Sequence, residues 1–200
     1  MKHIVAFTGA GISKASGIPT FEEVPGIRDC LTREYFKRNP GDFYENARQL
    51  YDRIKHAEPN PAHLTLAKYK IPVITMNVDG LHRKAGTAEL VEIHGNLDWV
   101  YCPKCRKTEK FGIVEKRIHC LDCHQVLEPQ VILYGDEILE FPRAIELVNT
   151  AEVLLVIGTS FYTSTSGFVV DYARSRGCIV EVINQCAEQK VAEFLEKHVS

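Results

Sequence analysis

Short, mainly apolar runs alternate with longer stretches of helical periodicity along this chain. The runs at residues 3–7, 72–75, 90–93, 153–157 and 179–183 are rich in valine and isoleucine, and each stops at a small or polar residue. The first reads as a buried strand entering a glycine turn, and the others as further short strands. Residues 43–56 carry Phe43, Ala47, Leu50, Tyr51 and Ile54 on one helical stripe that ends before Pro59-Asn60-Pro61. Residues 62–69 and 187–198 read as further helices. A helix is also expected from about Ile12, whereas residues 20–33, with Pro25, Gly26 and no clear period, read as a loop over the preceding glycine turn. Strands alternating with helices predict an α/β fold with a doubly wound, mainly parallel sheet.

The 200 residues, 45% of them hydrophobic, suffice for one substantial Rossmann-like α/β domain and a small inserted module. Between residues 94 and 129 the strand-helix alternation gives way to cysteine pairs and charges, so residues 96–129 are expected to form the insert and residues 1–95 with 130–200 the larger domain. A formal charge of −2 gives no electrostatic ground for nucleic acid or an anionic membrane as partner. No leader precedes the first run, and no apolar run nears the roughly 20 residues that span a bilayer. A cytoplasmic location is the resulting expectation.

Seven cysteines are present, four of them in two Cys-x-x-Cys pairs, with Cys30, Cys178 and Cys186 scattered. Metal binding in a reducing compartment explains this arrangement better than disulfides. Cys102-Pro103-Lys104-Cys105 and Cys120-Leu121-Asp122-Cys123 are separated by fourteen residues. Four thiolates on two tight knuckles make a closed tetrahedral zinc site with no ligand vacancy, so the ion's role is expected to be structural. His119 and His124 read as solvated neighbours.

Gly9-Ala10-Gly11-Ile12-Ser13 follows the first strand and opens a helix, which can set backbone N–H groups against a pyrophosphate. Alone, the motif is equally a plain tight turn. Gly158-Thr159-Ser160 and Asn184 follow two other strands, and the carboxyl ends of parallel strands are where such sheets bind nucleotides. Asn77-Val78-Asp79 brings an amide and a carboxylate to the same edge, with helix capping as the alternative role. His94 is followed by Gly95, a residue that permits close approach of a ligand. A lone histidine is more often structural than catalytic.

In this order the residues resemble the sirtuins, the NAD-dependent protein deacylases. The matching pieces are Gly9-Ala10-Gly11-Ile12-Ser13, Ser16-Gly17-Ile18-Pro19, Pro59-Asn60-Pro61-Ala62-His63, Asn77-Val78-Asp79-Gly80-Leu81-His82, Ala85-Gly86, His94-Gly95, the cysteine quartet, Tyr134-Gly135-Asp136, Gly158-Thr159-Ser160 and Ile183-Asn184, which span nearly the whole chain. The resemblance implies a large doubly wound domain and a small zinc-ribbon domain, with NAD and an acyl-lysine peptide meeting between them. It implies that His94 is the general base and that Asn77 and Asp79 hold nicotinamide and an ordered water. Ala10, Ile12, Ser160 and Asn184 would line the pyrophosphate and ribose sites, with Gly9, Gly11, Ser13, Phe21, Val78, Gly158 and Thr159 completing the cofactor set. The acylated protein or peptide would enter as an added strand.

Departures from the family pattern fall at Thr20 and Glu22, where aspartate and arginine are usual, and at Met76, where glutamine is usual. The chain is short for the family, and residues 161–166 lack the usual proline. The Tyr-x-x-Arg pair that binds negatively charged acyl groups in some relatives has no match, since Tyr44 and Arg48 are four apart, so an uncharged acyl group is expected. Protein ADP-ribosyl transfer or NAD hydrolysis, and a non-catalytic NAD-binding module, stay open as alternatives.

Overall fold

The computed structural model describes residues 2–20, 23–24, 26–160 and 164–199. β1 (Ile4–Thr8) leads into a 3-10 helix (Ala10–Ser16), followed by α1 (Ile27–Cys30), α2 (Arg33–Arg38), α3 (Pro40–Ile54) and α4 (Pro61–Lys68). Then come β2 (Val73–Thr75), α5 (Leu81–Lys84), β3 (Leu90–Glu92), β4 (Gly95–Tyr101), β5 (Thr108–Lys110) and β6 (Glu128–Val131). The chain closes with α6 (Phe141–Thr150), β7 (Val153–Ile157), α7 (Ser164–Ser175), β8 (Ile179–Ile183) and α8 (Ala187–Val199).

Five strands pair in parallel in the order β3-β2-β1-β7-β8. The chain winds outward from β1 on one side and from β7 on the other, so the winding direction reverses between those two strands. A crevice opens beyond their carboxyl ends, which is where a doubly wound sheet takes a ligand. Every residue of β1 and β7 is buried, and the period of two sends alternate side chains to opposite layers. Ile4, Ala6, Leu155 and Ile157 pack with α4 and α8, while Val5, Phe7, Leu154 and Val156 pack with α6 and α7.

The helices have local causes. Asn60 begins α4 by accepting the Ala62 N–H on its side-chain oxygen at 3.0 Å, with Pro61 in the first turn. Thr32 caps α2 in the same way, through the Tyr35 N–H at 3.1 Å. Two short helices, α1 and α2, begin in the stretch expected to be loop or just after it. α6 and α7 have no counterpart among the elements read from the sequence. α7 holds Gly167 and several Ser and Thr residues, weak helix formers, and it is held by Val169, Val170 and Ala173 against the sheet. No described helix is long and apolar enough to cross a membrane.

The second sheet is antiparallel, in the order β5-β4-β6. Its apolar core is shared with α2 and α3, where Phe36, Phe43, Tyr44 and Phe111 make successive ring contacts with centroids 5.0 to 6.1 Å apart. Arg33, at the start of α2, grips Asp136 with two nitrogens at 2.7 and 2.8 Å and Glu128 of β6 with a third at 3.0 Å. The backbone adds two bonds of 2.9 Å, Arg33 N–H to the Tyr134 carbonyl and Tyr134 N–H to the Leu31 carbonyl. The segment after β6 is thereby clamped to the segment before α2.

Candidate active site

The turns after β1 and β7 touch backbone to backbone. Gly11 N–H donates to the Gly158 carbonyl at 2.8 Å, and Gly9 N–H to the Ile157 carbonyl at 2.9 Å. Gly158 has φ +64°, and a Cβ placed there would lie 2.2 Å from the Ile12 nitrogen. A Cβ on Gly11 would lie 2.7 Å from the Gly158 Cα. These glycines are therefore required by the approach of one turn to the other, before any ligand is considered. The segment they open is the seven-residue 3-10 helix, in place of the helix expected from Ile12. Asn184 closes the same edge, since its side-chain oxygen accepts the Thr159 N–H at 3.1 Å.

A buried polar network supports the first turn from beneath. Ser13 donates its hydroxyl to Asp79 at 2.7 Å, and Asn77 donates its amide to the Ser13 hydroxyl at 3.1 Å and to the Gly9 carbonyl at 3.2 Å. Asp79 also accepts the Leu81 N–H at 2.9 Å at the start of α5, so capping and support of the turn are two duties of one carboxylate. Burial raises the Asp79 pKa, and these donors act against that rise. Asn60 adds bonds to the Ile12 carbonyl at 2.7 Å and to the Ser16 hydroxyl at 3.0 Å.

Two cavities open above this platform. The smaller, about 340 Å³, is lined by Gly9, Ala10, Gly11, Asn77, Gly158, Thr159, Ser160 and Asn184, among others. The larger, about 590 Å³, runs between the second sheet and α3. Arg28, Met76, His94 and Tyr134 line both. Of the other residues read from the sequence, Ile12, Ser13 and Asp79 lie beneath the small cavity as buried support, and Val78 lines the larger one. Phe21 and Glu22 lie outside the described residues. Lys14 also lines the small cavity, although the motif reading stopped at Ser13. Its charge is shared with Glu23 at 2.7 Å. The α3 wall of the larger cavity, with Phe43, Ala47 and Leu50, was hidden because an amphipathic stripe reads as core.

His94 stands where the cavities meet. Its Nδ1 lies 3.1 Å from the Met76 carbonyl oxygen. A carbonyl only accepts, so Nδ1 carries the proton and Nε2 keeps its lone pair. Burial lowers the His94 pKa, and the bond to Met76 opposes this. Gly95 has φ +70°, and a Cβ there would fall 2.0 Å from the Gln130 carbonyl oxygen. One close approach that this glycine allows is thus by the chain's own β6.

The cysteine quartet sits beyond the far end of β4. The four Sγ atoms of Cys102, Cys105, Cys120 and Cys123 all lie within 4.8 Å of one another. An ion with sulfur ligands at about 2.3 Å in a tetrahedron separates them by about 3.8 Å, so the cluster fits such an ion. The two knuckles repeat one geometry. Arg106 N–H returns to the Cys102 carbonyl and His124 N–H to the Cys120 carbonyl, at 2.9 and 3.0 Å, and both residues have positive φ, 62° and 57°. β4 separates the quartet from His94 by seven residues, roughly 20 Å of strand.

This fold places two adjoining cavities at the carboxyl edge of a doubly wound sheet, where α/β proteins of this class take a nucleotide. The sequence profile of the Sir2 family matches residues 9–164, and the chain belongs to that family. An NAD-dependent protein deacylase of Pyrococcus abyssi is 35% identical, the match covering 96% of this chain and 86% of the relative. Among solved structures, Sir2 with a p53 peptide and NAD+ superposes with a TM-score of 0.88 at 27% identity, covering 98% of this chain and 94% of the other. Sir2Tm bound to a propionylated peptide gives 0.87 at 27% identity, covering 97% and 92%.

Proposed function

We infer that this chain is an NAD-dependent protein deacylase that moves an uncharged acyl group from a protein lysine to ADP-ribose, releasing nicotinamide. The observation that carries the reading is the meeting of two cavities at a histidine whose Nε2 lone pair is free of a proton. In this reading the smaller cavity takes NAD, with the glycine turns against the pyrophosphate and Lys14 and Arg28 supplying positive charge nearby. The larger takes the acyl-lysine, with its peptide laid as an added strand. The names and ligands of the relatives above agree with both assignments.

NAD supplies an anomeric carbon from which nicotinamide departs with the bonding electron pair as the acyl oxygen attacks. His94 then accepts a ribose hydroxyl proton at Nε2, the freed oxygen attacks the acyl carbon, and a water adds there as the carbon–nitrogen bond to lysine breaks; the Met76 carbonyl keeps the ring in the tautomer that can take the proton. Because burial lowers its pKa, the imidazole is neutral at pH 7 and ready as a base. Asn77 presents its side chain from the buried network, while Asp79 and Ser13 hold that network in place. Cys102, Cys105, Cys120 and Cys123 hold a structural zinc ion. A reducing, cytoplasmic setting belongs to this reading, since the ligands must stay thiolates.

An uncharged acyl group is favoured because Tyr44 and Arg48 of α3 are committed elsewhere. The Tyr44 hydroxyl donates to the Leu127 carbonyl at 2.5 Å, and Arg48 pairs with Glu45 at 3.1 Å. Mass spectrometry after incubation with NAD and acyl-lysine peptides tests the assignment. Nicotinamide with O-acyl-ADP-ribose supports it; free ADP-ribose without deacylation, or no NAD turnover, refutes it.

A further inference from the structure

Two stretches far apart in sequence build the wall that faces both cavities. Arg28 of α1, Leu31 and Thr32 come from one, and Tyr134, Gly135 and Asp136 from the other. Arg28 and Tyr134 each line both cavities, so a ligand in either cavity lies against both stretches. Among the described residues, the backbone-to-backbone bonds of residues 20–30 stay within their own stretch. The first such bonds to another part of the chain are those of Leu31 and Arg33 with Tyr134, both 2.9 Å.

The Arg33 side chain locks this junction. It spans both oxygens of Asp136, 103 positions away in sequence, at 2.7 and 2.8 Å, and reaches Glu128 of β6 at 3.0 Å. Its guanidinium lies 5.2 Å from the ring centroid of Phe36, a buried residue. A planar fork on a carboxylate fixes distance and angle together. Asp136 also accepts the Leu133 N–H at 3.0 Å, which carries the grip into the backbone of the wall. Arg33 itself lines neither cavity, so its removal deletes no ligand contact.

We propose that Arg33 is a positioning residue that couples the two cavities: it makes the α1 stretch and the stretch after β6 hold as one wall, so that a ligand seated in either cavity prepares the wall for the other. The inference rests on the deacylase reading for what the cavities take. Such a coupling is reciprocal, each ligand raising the other's affinity by the same factor.

The test follows a fluorescent acetyl-lysine peptide by anisotropy, with and without a saturating carbocyclic NAD analogue that cannot release nicotinamide. In the wild type the analogue should tighten peptide binding about 5- to 150-fold, and calorimetry of the analogue with and without peptide should return the same factor. Arg33→Ala should bring the factor to within about twofold of one, while each ligand alone keeps its affinity to within about threefold. Arg33→Lys, which keeps the charge but cannot span two oxygens, should fall between. Circular dichroism confirms the fold, and Arg33→Lys decides should Arg33→Ala fail to fold. A merely structural arginine would lower the folded fraction and leave the factor unchanged in the molecules that fold.

Peptide binding that is absent from the wild type, or that the analogue leaves unchanged, overturns the inference. So does an undiminished factor in Arg33→Ala, or in Arg33→Lys where only that variant folds. The deacylase reading fails separately. Coupled binding without NAD-dependent release of lysine in mass spectrometry would sink that reading and leave this one standing, and release of lysine with uncoupled binding would do the reverse.

Discussion

A single backbone carbonyl sets the chemistry of His94, since the contact from Nδ1 to Met76 O leaves Nε2 as the only basic nitrogen. Replacement by alanine should cut acyl transfer by about 10² to 10⁴, the usual worth of a positioned base. NAD affinity should move little, because a base acts on the transition state more than on ground-state binding. Full deacylation by His94→Ala in a nicotinamide-release assay would remove this histidine from the mechanism. The burial that lowers its pKa also fixes a sign: the base stays unprotonated to below its ordinary 6.5, so the acid limb of kcat/KM should fall below that pH. A limb above 6.5 would contradict the buried geometry. At this scale the sequence was legible where chemistry depends on residue type. His94, Asn77 and Asp79 could be marked from their motifs, but the tautomer could not, because the Met76 carbonyl lies eighteen residues away and any residue type would supply one. Asp79 shows the same limit. In the sequence, helix capping looked like the alternative to a role at the ligand edge, whereas its two oxygens cap α5 and support the glycine turn.

Among the elements, the turns and knuckles make the sharpest demands on sequence. Gly158→Ala must accept φ +64° and a Cβ 2.2 Å from the Ile12 nitrogen, so it should cost about 3 kcal/mol in stability and weaken NAD binding as the two turns part. Gly167→Ala in α7 is the control. Among the described residues nothing lies within 4 Å of its Cβ, and it should gain about 0.5–1 kcal/mol. Thermal melts with NAD calorimetry separate the two, and a neutral Gly158→Ala would show that the turns can part without cost. The second sheet carries its own reporter, because Trp99 on β4 is the chain's single tryptophan, with the Lys110 ammonium 3.7 Å from the ring centroid. Removing the ion from the quartet should loosen this sheet and red-shift Trp99 emission. Unchanged emission and activity in metal-free protein would show that the ion does not support the fold. The five strands of the parallel sheet were legible because short runs rich in Val and Ile have few other uses, whereas β4, β5 and β6 of the second sheet carry no such runs. α1, α2, α6 and α7 escaped because they are short or rich in weak helix formers, and packing supplies what local propensity lacks.

For the whole molecule, strand order is the property that no local pattern contains. The site exists because β1 and β7, about 150 residues apart in sequence, lie side by side in register from Ile4 with Val153 to Thr8 with Ile157. That packing also encloses charge-capable groups that line neither cavity. His63 on α4 and His82 on α5 are fully buried, with ring centroids 4.7 Å apart. His82 Nε2 meets the Thr8 hydroxyl at 3.0 Å, while neither ring nitrogen of His63 has a hydrogen-bond partner among the described residues. Desolvation lowers His63 from 6.5 to about 4, and it lowers His82 well below 6.5, with the neighbouring ring adding to the effect. The unfolded chain therefore binds protons below pH 6.5 that the native state refuses. Stability should be fully present above that pH and decline as pH falls toward 4, by about 3 kcal/mol from His63 alone. Asp79, whose pKa is raised, contributes with the opposite sign on acidification, so a variant is needed to isolate the histidine. His63→Phe keeps a ring of similar size and breaks no hydrogen bond seen here. It should cost little at pH 7.5 and flatten the decline between pH 6.5 and 4 in urea unfolding. An unaltered acid profile in that variant would mean that His63 takes up its proton in the folded state as readily as in the unfolded chain.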